Sequence, residues 1–314
     1  MKRDHMGVAA FTSGLSMENL EFSVDESDLL KPTCSLAALE WLDYLRRLVA
    51  VGSKHVQFLA PESVKDAEAL GRIAKYVGVV EASMLYCTFH PVCPCADAEA
   101  AFAAFTKYFE IMKALLAPFS GTKYLFSPSI GRGLMDPDKG LAGEDDSVKQ
   151  VAFLRRVLEY LKQEKRGEGC IVCFEPLNRF ESRGPNTVGD TVALIKEAHA
   201  ENSVMVGADS FHQLVTETES VYDTWTEFAP HIGLIHVSSR DRQYLYGDAL
   251  YFASLFHAVA RNSVFDKIPL VVEAFCQDTD KAFLPVLAIH GVSACDAAEM
   301  AASNLGCLRS WIQG

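Results

Sequence analysis

Several absences narrow the field first. Nowhere in the 314 residues is there an apolar run of 18 or more, so no stretch is expected to cross a bilayer. After Met1-Lys2-Arg3 the first apolar run reaches only from Val8 to Phe11, too short for a secretory signal, and a cytoplasmic address is the expectation. Basic residues are in deficit: 29 Lys and Arg face 41 Asp and Glu, a formal net charge of −12. A phosphate backbone or an anionic membrane would be repelled on average, so neither nucleic acid nor a membrane is an expected partner. No glycine-rich nucleotide loop follows the first apolar run, where Phe11-Thr12-Ser13-Gly14-Leu15 stands, and the Gly131-Arg132-Gly133 turn is too short to count as one. The nine cysteines are an odd number dispersed over the chain and make no compact disulfide framework. Cys170 and Cys173 have redox-motif spacing, yet inside Cys-Ile-Val-Cys-Phe-Glu strand alternation points their sulfurs to opposite faces, which reads as buried core thiols. Cys93-Pro-Cys95 has no second ligand pair beside it and is weak support for zinc. No change of composition marks a linker, so one domain over 1–314 is expected.

What is present is ample core material: 49% hydrophobic residues, 22% charged residues and a mean hydropathy of +0.09 exclude general disorder. Short β-branched runs alternate with longer helical patterns along the whole chain. The runs are Val8–Ser13, His55–Ala60, Val80–Phe89, Lys123–Ser129, Cys170–Leu177, Val204–Phe211, Ile232–Ser239 and Leu270–Phe275. Helical spacings of three and four fall over 35–51, 62–77, 97–117, 147–165, 188–200, 217–228, 249–262 and 293–312. Pro61 is placed to open a helix, Asp97 to cap one, and Gly52 and Gly78 to end two. Eight strand-then-helix units fit an α/β fold of the (β/α)8 barrel type. In such a barrel the Gly-, Asp- and Pro-rich segment 130–146 and the segment 276–292 would be long loops on the face where active sites are built.

Chemistry concentrates at four successive strand ends. Phe174-Glu175-Pro176, Ala208-Asp209-Ser210, Ile235-His236-Val237 and Val272-Glu273-Ala274 each finish an apolar run with an ionisable residue. Taken singly, each is more simply a strand terminus facing water. Their separations of 34, 27 and 37 residues are each one strand-helix repeat, so a barrel would turn all four toward one rim. Three carboxylates and an imidazole so gathered repel one another, and a divalent cation resolves the repulsion. Hard oxygens with one nitrogen suit Mn²⁺, Co²⁺, Mg²⁺ or Zn²⁺, with Ca²⁺ less favoured. Glu181, His212 and Arg242 lie in the adjoining loops, where they would support the ligands or meet a substrate's hydroxyls. For His212 a plain structural histidine is an equal reading, and for Arg242 a solvated loop charge is the stronger one.

Glu175-Pro-Leu-Asn178-Arg179-Phe180-Glu181, Asp209-Ser-Phe211-His212, the His236 to Arg242 spacing and Val272-Glu273-Ala-Phe275 together resemble the D-tagatose 3-epimerase (D-psicose 3-epimerase) family, within the xylose isomerase-like TIM barrels. The resemblance covers about residues 170–276. Ser238-Ser239 stand where that family usually shows Gly-Glu, and Ala274 where Pro is common. The resemblance implies a metal, Mn²⁺ first, held by Glu175, Asp209, His236 and Glu273, with Glu181, His212 and Arg242 on the sugar.

The expected activity is therefore that of a metal-dependent ketose epimerase or isomerase. Glu175 and Glu273 would be the acid/base pair on the two faces of an enediolate. The substrate would be a small unphosphorylated sugar, because only Arg240 and Arg242 could clamp a phosphate near the last two strand ends. Two rivals share the fold. An inosose dehydratase begins with the same proton abstraction, whereas an endonuclease IV-like phosphodiesterase would need more histidine ligands than His90 and His212 can add. Assembly as a dimer or tetramer is left open.

Overall fold

The eight apolar runs close on one another as a barrel. A computed structural model describes residues 6–10, 15–25, 28–86, 93–128, 130–133, 146–275 and 296–313. Its strands are β1 (Met6–Ala9), β2 (Phe22–Asp25), β3 (Asp28–Cys34), β4 (His55–Leu59), β5 (Glu81–Leu85), β6 (Lys123–Pro128), β7 (Arg132–Gly133), β8 (Cys170–Glu175), β9 (Ser182–Arg183), β10 (Val204–Asp209), β11 (Ile232–Val237) and β12 (Leu270–Val272). The helices are α1 (Leu36–Ala50), α2 (Val64–Tyr76), α3 (Ala98–Leu115), α4 (Asp146–Lys162), α5 (Val188–Glu197), α6 (Ser210–Thr216), α7 (Val221–Phe228), α8 (Ala249–Arg261) and α9 (Ala297–Gln313). The closed sheet runs β1-β12-β11-β10-β8-β6-β5-β4 and back to β1, with parallel pairing throughout.

Alternation along each strand sorts side chains into two cores. Val172 and Phe174 of β8, Val204, Val206 and Ala208 of β10, Ile235 and Val237 of β11 and Leu270 and Val272 of β12 face outward into the layer packed by the helices. The alternate residues fill the barrel: Phe126, Cys173, Leu234, Val271 and Phe275, with Tyr124, Ile171 and Met205 against them. Continuing that alternation one step brings Glu175, Asp209, His236 and Glu273 to the inner face at the C-terminal rim.

Local chemistry sets the boundaries. Asp97 caps α3, accepting from the Ala100 N–H at 2.9 Å. Gly52 and Gly78 follow α1 and α2 with φ of +84° and +94°, the left-handed turn that glycine enters without a Cβ penalty. Pro61 does not open α2: Ser63 caps it and Val64 is its first residue. The expected strand over 204–211 stops at Asp209, whose carboxylate caps α6 by accepting from the Phe211 N–H at 2.8 Å. The expected strand over 170–177 stops at Glu175, before Pro176, which has no N–H to give the ladder.

An antiparallel hairpin, β2 with β3, precedes α1 and lies outside the eight strand-helix units, although Leu20-Glu21-Phe22-Ser23-Val24-Asp25 alternates apolar and polar residues; Pro32 sits within it, tolerated because a two-stranded ribbon is all edge. Cys170 packs in the outer core and Cys173 in the inner one, both as free thiols. Among the described residues no helix is long and apolar enough to cross a membrane. Of the two long loops expected at the rim, 276–292 lies outside the described residues. The described start of the other forms β7, which pairs with β9 in the loop after β8.

Candidate metal and substrate site

Strands β8, β10, β11 and β12 each deliver one ionisable side chain to the rim. Glu175 and Asp209 are the last residues of their strands, His236 the penultimate one of β11, and Glu273 follows β12 directly. Asp209 and His236 are register partners across the β10–β11 ladder. All four are buried, and one ligand atom from each lies within 4.8 Å of the others. Among the described residues this is the one such group of His, Cys, Asp or Glu. His90 lies outside the described residues.

Two buried atoms in this group have no hydrogen-bond partner: Glu175 Oε1 and His236 Nδ1, which face one another at 3.3 Å. His236 Nδ1 is also 3.6 Å from Glu273 Oε2. The other ring nitrogen, Nε2, is 2.9 Å from Gln57 Oε1, an acceptor, so Nε2 carries the proton and Nδ1 turns its lone pair toward the carboxylates. A buried lone pair converging on two carboxyl groups is the donor set a divalent cation satisfies. The residues present therefore fit a metal ion.

Electrostatics separate the carboxyls. Burial, reinforced by the Glu273 charge, pushes Glu175 well above the ordinary carboxyl value. Burial also lifts Asp209 to about 8, although Arg242 opposes it. For Glu273 the raising effect of burial is outweighed by the neighbouring His236 ring and the Arg242 guanidinium, and its carboxyl falls below the usual range. Burial lowers His236 and drives His212 down to about 3, which keeps both imidazoles neutral.

Arg242 corrects the sequence reading of a solvated loop charge. It is 2% exposed. Its Nη1 donates to Glu273 Oε2 at 2.6 Å, Asp209 Oδ2 at 2.8 Å and Ser238 Oγ at 3.0 Å. The guanidinium lies over Phe211, 4.2 Å from the ring centroid, with Phe275 on another side at 5.4 Å. A backbone φ of +58° turns the side chain inward; a non-glycine residue in this region needs surroundings that hold it there. The Phe275 N–H bonded to the Arg242 carbonyl at 2.7 Å is part of that hold.

Behind Arg242 stands His212, on the first turn of α6. Its Nδ1 accepts from the Asn178 backbone N–H at 3.2 Å, which puts the ring proton on Nε2, and Nε2 sits 2.9 Å from Arg242 Nη2. Two donors stand side by side there, and Asp209 Oδ2 lies 3.6 Å from His212 Nε2. Asn178 also donates from its side chain to Glu181 Oε1 at 2.8 Å, tying Glu181 to this group. Thus the structure brings all seven sequence candidates to one rim.

Sequence reading missed three contributors. Gln57 is a lone polar residue inside an apolar run, Ser238 enters only as a departure from a motif, and Phe126 is one aromatic residue within the run 123–129. The Ser238 hydroxyl is 3.2 Å from Glu273 Oε2, and the Phe126 ring packs 4.2 Å from the His236 ring.

The family described as xylose isomerase-like TIM barrel matches residues 45–311. The chain is 26% identical over 127 residues to an L-ribulose 3-epimerase of Mesorhizobium japonicum, covering 40% of this chain and 42% of that one. It is 35% identical over 75 residues to a D-psicose 3-epimerase of Agrobacterium fabrum, covering 24% and 25%. These matches therefore span less than half the length of either relative. A solved L-ribulose 3-epimerase superposes with a TM-score of 0.76 at 18% identity, over 98% of this chain and 94% of that one, which speaks for the fold.

Proposed function

The chain belongs to the xylose isomerase-like TIM barrel family, and from that premise we propose that it is a metal-dependent 3-epimerase of a small unphosphorylated ketose. The observation that carries the proposal is the buried convergence of Glu175, Asp209, His236 and Glu273. The partial matches to an L-ribulose and a D-psicose 3-epimerase support the choice of reaction. Glu175, Asp209, His236 and Glu273 would hold the ion, Mn²⁺ first. When bound, the ion supplies positive charge that polarises a ketone and favours loss of the neighbouring carbon's proton.

The chain's own residues divide the rest of the work. Arg242 Nη2 and His212 Nε2 present their hydrogens together and orient the carbonyl end of the sugar, with Glu181 held by Asn178 for a neighbouring hydroxyl. Glu273, kept ionised by the His236 ring and the Arg242 guanidinium, takes the proton from C3 on one face. Glu175, whose proton affinity burial and the Glu273 charge raise in the metal-free chain, would return a proton to the other face of the planar enediolate. Surroundings that push two carboxyls apart in this way assign an acid and a base. In the reverse direction the two exchange roles. Glu175 and Glu273 would serve as both ion ligand and proton carrier because each carboxylate has two oxygens. The same reading takes 1–314 as one domain working in the cytoplasm as a dimer or tetramer, with a sugar and neither nucleic acid nor a membrane as its partner.

The test is incubation of the Mn²⁺-loaded protein with D-fructose, D-psicose, D-tagatose and L-ribulose in deuterated water. Conversion of at least one to its C3 epimer, with deuterium on the inverted carbon, is expected. No conversion of any ketose, or a product without solvent isotope, overturns the two-base reaction.

A further inference from the structure

Gln57 is a buried group at the site with no part in the chemistry above. It sits on β4, where Val56 and Phe58 face the outer core and Leu59 the barrel interior, so alternation turns Gln57 inward. It is fully buried, its Oε1 is 2.9 Å from His236 Nε2, and its own Nε2 has no hydrogen-bond partner. A half-satisfied amide is a poor choice for a barrel core, where leucine would fill the space without a bare N–H.

We propose that Gln57 is the positioning residue of the metal centre: it holds His236 in the tautomer that carries its proton on Nε2 and leaves the Nδ1 lone pair facing Glu175 and Glu273. The proposal rests on reading His236 as a metal ligand. A neutral imidazole has one proton and two nitrogens, and the partner of the outer nitrogen decides which one is free to bind. Phe126 lies against the ring face at 4.2 Å and Gln57 holds its edge, so tilt and tautomer are both set. An amide turned the other way would offer its NH2 to Nε2, move the proton to Nδ1, and present an N–H where a cation must sit. Leucine at 57 would offer no acceptor, and the proton would be shared between the two nitrogens.

Long-range ¹H–¹⁵N correlation of the metal-free protein at pH 8 reads the tautomer, and calorimetric titration with Co²⁺ reads the affinity. The unaltered protein is expected to show the Nε2–H form at His236 and to bind Co²⁺. Gln57→Leu should lose the single tautomer and bind Co²⁺ about 10–100-fold more weakly. Gln57→Glu keeps an acceptor at the same reach and should restore both, which a merely structural role would not produce. An Nδ1–H signal in the unaltered protein, or Co²⁺ affinity equal in the Leu variant, overturns the role of Gln57 alone. If Gln57→Leu fails to fold, the tautomer of the unaltered protein and the Glu variant still decide. Failure of the unaltered protein to bind Co²⁺ overturns the metal reading, and this proposal with it.

Discussion

Arg242 Nη1 lies 2.6 Å from Glu273 Oε2, inside the barrel rim. The same nitrogen is 2.8 Å from Asp209 Oδ2, so one guanidinium spans two carboxylates that converge with His236 and Glu175. The carboxylate group is thus partly neutralised by the chain itself. A divalent ion would add to this charge balance.

Removing that guanidinium should leave buried carboxylates uncompensated. Arg242→Leu is expected to destabilise the metal-free protein by about 3–5 kcal/mol, the usual effect of breaking a buried pair. Mn²⁺ should recover part of the loss, since it supplies charge to the same oxygens. Arg242→Lys keeps the charge but has no second nitrogen to stand beside His212 while the first meets the carboxylates, and should lower kcat by about 10²–10³. Denaturant titrations with and without Mn²⁺, and turnover of the active ketose, check these outcomes.

Ligand and substrate roles should separate by metal content. Asp209→Asn removes a charged oxygen donor and should bring bound metal, measured by atomic emission, well below one ion per chain. His212→Ala should retain the ion and lose turnover, because its nitrogens face Asn178 and Arg242. Equal metal loss in both variants would contradict this division.

The metal-free protein should lose stability as pH rises from about 6.5 to 8. Asp209 is lifted to about 8 in the folded state, so over this window the folded form keeps a proton that the unfolded chain has released. A group with a raised folded value contributes stability below its unfolded value and loses it as pH climbs through the folded one. One proton corresponds to about 1.4 kcal/mol per pH unit. His212, lowered to about 3, acts in the opposite sense, but only below its unfolded value near 6.5. Thermal midpoints should therefore fall across the window, and saturating Mn²⁺ should flatten the slope by taking the place of the protons.

Gly207 should prove intolerant of alanine. An added Cβ would sit 2.1 Å from Phe126 Cε2, and the ring it displaces is the one packed against His236. Overpacking of this kind costs about 1–3 kcal/mol. Gly207→Ala should also weaken Co²⁺ binding in calorimetric titration, which a loss confined to general packing would not do.

Glu175→Gln and Glu273→Gln should each abolish net inversion, lowering it by about 10²–10⁴. With the epimer whose proton Glu273 removes, Glu175→Gln should still wash deuterium into the substrate, and with the opposite epimer Glu273→Gln should do so. Metal content must be measured in both variants, because the same residues are proposed as ligands. NMR of recovered substrate and product gives the answer.

The sequence by itself determined the barrel and its polar rim. Both are periodic signals: apolar runs repeat with the strand-helix unit, and Glu175, Asp209, His236 and Glu273 end four successive runs. Alternation on each strand is a local property of the backbone, so it carried these side chains inward before any contact was known. The hairpin of β2 and β3 stands outside the strand-helix repeat, although Leu20 to Asp25 alternates apolar and polar residues as a half-buried strand does. What only the tertiary structure decided is how the rim is wired. Gln57 and His236 are 179 positions apart and meet because the barrel closes, and closure leaves no local trace in either segment. Arg242 reads as a loop charge until a left-handed turn and two aromatic rings bury it. Glu175 and Glu273 are the same residue type at equivalent strand ends, and their unlike proton affinities arise from burial and from which cations stand beside each, quantities that exist only once the chain is folded.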